Sequence, residues 1–318
     1  MGDALMGNDD PAHGHDRGSG GDGRAADRIA VECTAVRVVA VAGAGLGGFG
    51  ILLWIAAHWS TLGRFGHFGL LEGLFVAALL AALLWRPLRI PMALVACISI
   101  GGLFALFGQT YQTGADPWQL FAWWALLALP LCIGVRSDVL WAPWALVAMV
   151  GISLWIIAHT GHRFRVDAGD LRAHGFGWMF AVLITAALSP ALARITGAGV
   201  WARRTSATLA MILVTTGALA ASFGHLGSLQ YALGLVVLAV AVVVFALPET
   251  YDLYSLSGAA LGLNVLVIAG IAHALFSSMG SGTALGSLIL IGLVAAGLLA
   301  ATVSGVLRIA RVRQGAAP

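Results

Sequence analysis

The chain has 318 residues, of which 60% are hydrophobic and only 10% are charged, with a formal net charge of +3. An ordinary soluble domain carries about 25% charged residues, so this composition excludes a soluble globular fold. All seventeen basic residues are arginines dispersed among short loops, which argues against a nucleic-acid partner. The three cysteines lie far apart and show neither disulfide nor metal-ligand spacing.

The first 34 residues are rich in Gly, Asp, His and Arg and contain almost no apolar run, which predicts a disordered cytoplasmic tail, residues 1–34. Apolar segments long enough to cross a hydrocarbon core of roughly 30 Å then repeat along the chain. They predict an all-α, polytopic helical membrane protein with about ten transmembrane helices, at residues 35–59, 68–85, 90–110, 118–135, 139–159, 176–193, 207–225, 229–247, 254–276 and 284–307.

The spans group into a membrane region at residues 35–160, an external loop at 161–175, a second membrane region at 176–307 and a basic cytoplasmic tail at 308–318. Ten crossings place both termini on one side of the membrane. Thirteen of the seventeen arginines fall on that side, and the four on the other are Arg64, Arg163, Arg165 and Arg172. Because arginine-rich loops face the cytoplasm, both termini are predicted to be cytoplasmic.

Two glycine patterns occur within the predicted spans. Residues 43–48 match G-x-G-x-x-G, but the apolar run continues to Trp59 and no acidic residue follows about 20 positions later, so no nucleotide cofactor is predicted. Gly43 and Gly47 have G-x-x-x-G spacing, as do Gly258 and Gly262. This spacing predicts that another helix approaches closely at both pairs.

A dense polar segment, Gly108–Gln119, separates the third and fourth spans. Its second half predicts a helix start, with Asp116 as N-cap, Pro117 at N1 and Gln119 completing a capping box. Its first half places three hydrogen-bonding side chains around the last turn of a helix that leaves the lipid: Gln109, Tyr111 and Gln112. Such groups need partners in the protein or in water. Both interpretations stay open, a turn with a helix cap and a binding surface.

Glu72 is the clearest acidic residue inside a predicted span, about four residues from its external end. A carboxylate there is costly unless it is paired or hydrated, which makes Glu72 a candidate functional residue. The alternative is that it reaches the interface or pairs with Arg64.

Histidines mark the predicted external side. The helices that run outward finish in an imidazole or an amide: His58, Gln109, His159, His225 and His273. Neutral imidazoles ligate zinc and titrate near neutral pH, so a metal or proton-sensing site is conceivable. The chain contains no H-E-x-x-H motif, however, and we predict no metal site.

Short internal similarities suggest a repeat. Residues 53–58, LWIAAH, resemble residues 154–159, LWIIAH, and residues 107–109, FGQ, resemble residues 223–225, FGH. Each pair is four helices apart, which preserves orientation. The hypothesis is a parallel repeat of four spans followed by a terminal pair, to be tested by superposing helices one to four on helices five to eight.

The polar segment also resembles a known family. Residues 108–121, continued by Trp124–Leu126 and Leu129–Pro130, are similar to the signature of bacterial membrane proteins called domain of unknown function 2157. Residues 55–59 resemble the segment at the end of that family's first span, where Asn is the usual residue at the position of His58. The resemblance covers about residues 40–160, and the tail replaces a small soluble helical region common in the family. It implies a bacterial inner-membrane location but no activity.

Two functions fit these patterns. The first is permease-like handling of a small polar solute that enters from the external face past Glu72, Gln109, Tyr111, Gln112 and Asp116. The second is a non-transporting scaffold or sensor whose external polar face docks a partner. A membrane hydrolase fits less well, because no nucleophile and base have a recognisable spacing. The lipid bilayer is the partner that composition implies, and the sequence leaves a protein partner and the oligomeric state open.

Overall fold

The computed structural model describes residues 19–111, 114, 116–161, 168–224, 229–278 and 284–315. Within these ranges the chain is helical and contains no β-strand. The helices are α1 (Ser19–Ala57), α2 (Trp59–Leu84), α3 (Arg89–Tyr111), α4 (Pro117–Val135), α5 (Asp138–Thr160), α6 (Leu171–Ala187), α7 (Ala193–Thr196), α8 (Val200–Gly224), α9 (Leu229–Ala246), α10 (Leu253–Ser278) and α11 (Ala284–Gly315).

Nine helices in the described ranges are long and apolar enough to cross a membrane. A tenth crossing forms if α6 and the segment Pro190–Thr196, which meet at a bend of 53°, are one broken span. This confirms the prediction of a polytopic helical membrane protein.

Packing of α6 against α5 favours the interpretation of the bent pair as one crossing. A Cβ atom at Gly177, near the start of α6, would overlap Ile156 near the end of α5. Ala181 shares a buried cluster with Met149, and Ile184 packs on the cluster that contains Leu140 at the start of α5. The helix α6 therefore runs antiparallel to α5 along most of its length, so the chain emerges at the opposite end.

Two predicted boundaries in this region are wrong. The helix α6 begins at Leu171, inside the predicted external loop, and stops at Ala187 instead of residue 193. Pro190 causes the stop, because proline has no N–H to donate and holds the preceding Ser189 in an extended conformation, with φ −71° and ψ 162°. The helix α8 begins at Val200 instead of residue 207, which places Arg203 and Arg204 in its first turn instead of in a loop.

The terminal helices are also longer than predicted. The helix α1 begins at Ser19, so the second half of the predicted disordered tail is helical. The helix α11 continues through the predicted basic tail to Gly315. Residues 1–18 and 316–318 lie outside the described residues.

Helices of the same direction pack directly against each other. Gly45 of α1 lies at Leu94 of α3, and further along both helices Leu52 of α1 lies at Gly102 of α3. The residue numbers rise in the same direction on both helices, so α1 runs parallel to α3. Asp138 at the start of α5 accepts a hydrogen bond from Ala202 near the start of α8, and Arg204 of α8 donates to Asp252, which directly precedes α10. The helices α5, α8 and α10 therefore begin at the same end of the bundle. We call the end of the bundle where α8 and α10 begin the Arg end, and the end where they finish the His end.

The glycine predictions have mixed outcomes. Gly258 and Gly262 of α10 face α8, where an added Cβ would lie 2.9 Å from Met211 Cε and 2.7 Å from Thr215 Oγ1, respectively, which confirms close helix contact. The prediction for Gly43 and Gly47 is wrong, because no described atom lies within 4 Å of a Cβ added there. A different face of α1 packs on α3.

Candidate functional site

The candidate residues of the His end lie mainly on its surface. The side chains of His58, Gln109, Tyr111 and His159 are exposed, and His273 is half-buried. The Tyr111 ring packs against Phe107 and Phe68, with centroid separations of 5.0 and 6.1 Å. Gln112 and His225 lie outside the described residues.

Four histidines near this end share one hydrogen-bonding pattern, in which Nδ1 bonds the carbonyl four residues earlier: His58 to Trp54 at 2.9 Å, His67 to Gly63 at 2.6 Å, His159 to Trp155 at 2.9 Å and His174 to Asp170 at 3.1 Å. A carbonyl only accepts, so Nδ1 is the protonated nitrogen and Nε2 is the acceptor of each neutral ring. The histidines therefore cap or stabilise helix turns.

The two similar six-residue segments also place their rings alike. The His58 ring centroid lies 4.5 Å from that of Trp54, and the His159 centroid lies 4.4 Å from that of Trp155. The interplanar angles are 31° and 35°. The helices α1 and α5 thus finish in matching Trp–His pairs. The four-span repeat itself stays a prediction.

Asp116 takes the N-cap position of α4, as predicted, with Pro117 following it. Its carboxylate makes no hydrogen bond to the first-turn amides, so the predicted capping box is wrong. The Trp118 indole explains the difference, because its Nε1 donates to Asp116 Oδ2 at 3.3 Å. The Trp118 ring lies 6.2 Å from His159, and the structure thereby brings Asp116 and His159 to one site.

Glu72 remains apart from this group. Its side chain is exposed on α2. No hydrogen bond or ion pair to it is found among the described side chains, and the side chain of Arg64 lies outside them. Among the residues that the structure describes, no group of three or more His, Cys, Asp or Glu could hold a metal ion.

The Arg end contains a buried carboxylate that sequence reasoning missed. Asp252 precedes α10 and its side chain is 4% exposed. It accepts hydrogen bonds from Arg204 Nη2 at 2.7 Å, Ser255 Oγ at 2.7 Å and Ser255 N at 3.1 Å. Burial raises the pKa of Asp252, but the hydrogen bonds from Arg204 and Ser255 outweigh it and hold that pKa below its ordinary value.

A second carboxylate at the Arg end joins two helices. Asp138, at the start of α5, accepts hydrogen bonds from the backbone N–H groups of Gly199 at 3.0 Å, Trp201 at 2.8 Å and Ala202 at 2.7 Å. These donors are at the start of α8, where backbone N–H groups have no partner within the helix. Asp138 therefore caps α8 from another helix.

Two apolar grooves flank α8. The Arg203 groove has a volume of about 450 Å³, and we define it by Val182 and Ser189 before α7, Arg203 and Ala207 of α8, Val240 of α9 and Thr250. The Arg204 groove has a volume of about 770 Å³, and we define it by Arg204, Thr208, Thr215 and Thr216 of α8 with Tyr254 and Ser257 of α10. None of the candidate residues of the His end that the structure describes lines either groove.

Two adjacent arginines, Arg203 and Arg204, mark the Arg end in the sequence. The predicted spans place them in a loop, where they indicate only the orientation of the chain, and the sequence near Asp252 shows no obvious partner for that carboxylate. A helix start at Val200 would have placed both arginines on a helix surface. Their shared carboxylate, 48 residues after Arg204, is visible only in the fold.

Residues 18–141 match the family model described as Predicted membrane protein (DUF2157). The match confirms the predicted resemblance but begins earlier than residue 40, inside the segment that we expected to replace the family's soluble helical region. It ends just after Asp138, so α6 to α11 and both grooves lie outside it. No curated protein and no solved structure matches the chain.

Proposed function

We propose that this membrane protein is a non-transporting scaffold or sensor that docks a partner protein through its His end. The observation that supports this is the exposure of His58, Gln109, Tyr111 and His159, none of which lines either groove. A solute path would need these side chains to converge on a cavity, whereas a docking face needs them exposed. The proposal places the protein in the bacterial inner membrane, with both termini in the cytoplasm and the His end outside.

The chemistry of the His end suits protein recognition. Aromatic rings combine a large apolar face with a polar edge, and interface hot spots are enriched in Tyr and Trp. Tyr111 is held against Phe68 and Phe107, and His159 against Trp155 and Trp118. These side chains are ordered before a partner arrives, which lowers the entropy cost of docking.

Site-specific photocrosslinking in cells tests this proposal. A photoreactive phenylalanine analogue replaces Tyr111 or His159, one at a time. The same adduct should form at both positions, and His159→Ala should reduce the Tyr111 adduct severalfold. Trp201, which is 71% exposed at the Arg end, is the control position and should not form it. Absence of the adduct at both His-end positions, or equal yield at Trp201, would contradict the proposal.

Permease-like handling of a small polar solute is the second candidate. The observation that favours it is the row of hydroxyl groups in the Arg204 groove, which extends from Thr208 to Thr215 and Thr216 along α8. Uptake of labelled polar solutes into proteoliposomes tests it, with Glu72→Gln and Thr215→Val as variants. Uptake that both variants abolish, without loss of folded protein, would replace docking by transport. No uptake, or uptake unaffected by both, would count against a permease.

A further inference from the structure

We propose that the Arg203 groove binds one acyl chain of an anionic phospholipid, with the lipid phosphate at Arg203. This inference goes beyond the proposed docking function and does not depend on it. Shape, polarity and charge each support it.

The shape of the groove suits a chain-like ligand. The helices α6 and α9 are close near the His end, where a Cβ added to Gly234 would lie 3.5 Å from Trp178. Towards the Arg end α6 stops at Ala187, and the small side chain of Ala207 on α8 lines the groove between α6 and α9. The exposed side chains of Val182 and Val240 form opposite rims. The volume of about 450 Å³ lies within the roughly 300–1,000 Å³ typical of small-molecule sites.

The polarity of the groove is divided along its length. Three polar residues, Ser189, Arg203 and Thr250, line it at the Arg end. Deeper in the groove the lining residues of α6, α8 and α9 are apolar except for Thr185 of α6, whose hydroxyl donates to Ala181 O at 2.9 Å. An apolar channel with one polar end fits an amphipathic molecule, and neither a polar solute nor an inorganic ion would use the apolar part.

The charge at the mouth favours an anion. Arg203 and Arg204 share Asp252, so two positive charges face one carboxylate. Arg204 takes the close contact at 2.7 Å, while Arg203 approaches only to 3.7 Å. The Arg203 side chain lines the groove and is 15% exposed, so a phosphate oxygen can approach its guanidinium.

The position of Arg203 along α8 also supports this placement. Arg203 lies in the first turn of α8, whose N-terminal N–H groups are already capped by Asp138, so the arginine and not the helix N-terminus would hold the phosphate. The first turn is also where a helix that begins at Val200 would leave the hydrocarbon, and lipid phosphates lie at that level. In the predicted orientation this is the cytoplasmic leaflet, whose surface potential is negative.

Native mass spectrometry of the full detergent-solubilised chain tests the proposal. The probes are phosphatidylglycerol, phosphatidylcholine with the same acyl chains, and inorganic phosphate. Phosphatidylglycerol should bind about tenfold more tightly than phosphatidylcholine, because both lipids carry the phosphate but the choline ammonium of phosphatidylcholine offsets its charge and is repelled by the excess positive charge of Arg203 and Arg204. Arg203→Gln should remove this preference. Arg308→Gln is the matched control, since it removes one exposed charge near the end of α11, and it should change binding less than about twofold.

A second variant tests occupancy of the groove. Val240 is 55% exposed on the rim, so Val240→Trp should fold while narrowing the groove, and it should weaken both lipids severalfold. Equal affinity for the two lipids, or equal effects of Arg203→Gln and Arg308→Gln, would overturn the proposal. Inorganic phosphate that competes with phosphatidylglycerol while Val240→Trp has no effect would show a simple anion site instead.

Discussion

Replacing Asp138 provides a direct test of how the two membrane regions are joined. Its Oδ1 accepts from the N–H groups of Gly199 and Ala202, and its Oδ2 accepts from Trp201. Asp138→Ala removes all three acceptor contacts. Asp138→Asn can keep the two at Oδ1, but its amide nitrogen would then face the Trp201 N–H, which is also a donor.

The expected loss follows from these contacts. A helix N-cap replaced by alanine costs about 0.5–2 kcal/mol, and a hydrogen bond to a charged group contributes about 1.5–3 kcal/mol. Because Asp138 is only half-buried, water replaces part of the lost interaction. We expect Asp138→Ala to lower the free energy of unfolding by about 3 kcal/mol and Asp138→Asn by about half of that.

Reversible unfolding in mixed micelles measures these values, and amide hydrogen exchange locates the effect. The amides of Gly199, Trp201 and Ala202 should exchange faster in Asp138→Ala than in the unmodified chain. Asp116→Ala is the matched control, because Asp116 is an exposed N-cap whose side chain makes no cap hydrogen bond, and it should cost less than about 0.5 kcal/mol. Equal losses for the two alanine variants, or exchange changes absent from the start of α8, would refute the reasoning.

Three other substitutions have defined outcomes, with stability measured in the same way. Gly197→Ala should cost about 3 kcal/mol, because φ is +68° and the Cβ would meet a neighbouring backbone oxygen at 2.7 Å, whereas Gly161→Ala, at φ +71° with open space, should cost about 1 kcal/mol. Gly262→Ala should lower the free energy of unfolding by about 1–3 kcal/mol, because its Cβ would lie 2.7 Å from Thr215 Oγ1. Gly292→Ala is the control and should not lower it, because position 292 faces open space; equal effects would contradict close packing of α8 on α10. The pKa of Asp252 is lowered on folding, so its contribution to stability is complete above about pH 4 and lost as pH falls further. The difference in melting temperature between the unmodified chain and Asp252→Asn should therefore be constant from about pH 7 to pH 5 and should narrow as pH falls to about 3, and a gap that does not change would contradict this.

Sequence patterns predicted the fold class and most of the spans because apolar length is a strong signal in lipid. They failed where a local feature competes with hydropathy. Pro190 ends α6 although apolar residues continue past it, and the arginines at 203 and 204 begin a helix that hydropathy alone places later. The helix α1 extends towards the N-terminus although the segment is too polar to be read as membrane-spanning.

The candidate site was predictable only as a set of helix ends. The spacing of His58 and His159 predicted their positions, but their identical stacking on Trp54 and Trp155 depends on side-chain geometry that hydropathy does not carry. The two grooves and the role of Asp252 depend on residues far apart in sequence, and no spacing within one segment encodes them.

The capping of α8 by Asp138 also bears on how the two regions of the chain can vary. The region that matches the family model ends at residue 141, just past the carboxylate, while all three donors on the other region are backbone N–H groups. Nearly every residue type supplies such a donor at positions 201 and 202, whereas a Cβ added to Gly199 would lie 2.7 Å from Asp138 Oδ2, so the junction requires glycine at that one position. A different set of helices could dock at the same carboxylate, provided that its first helix presents a free N-terminus there.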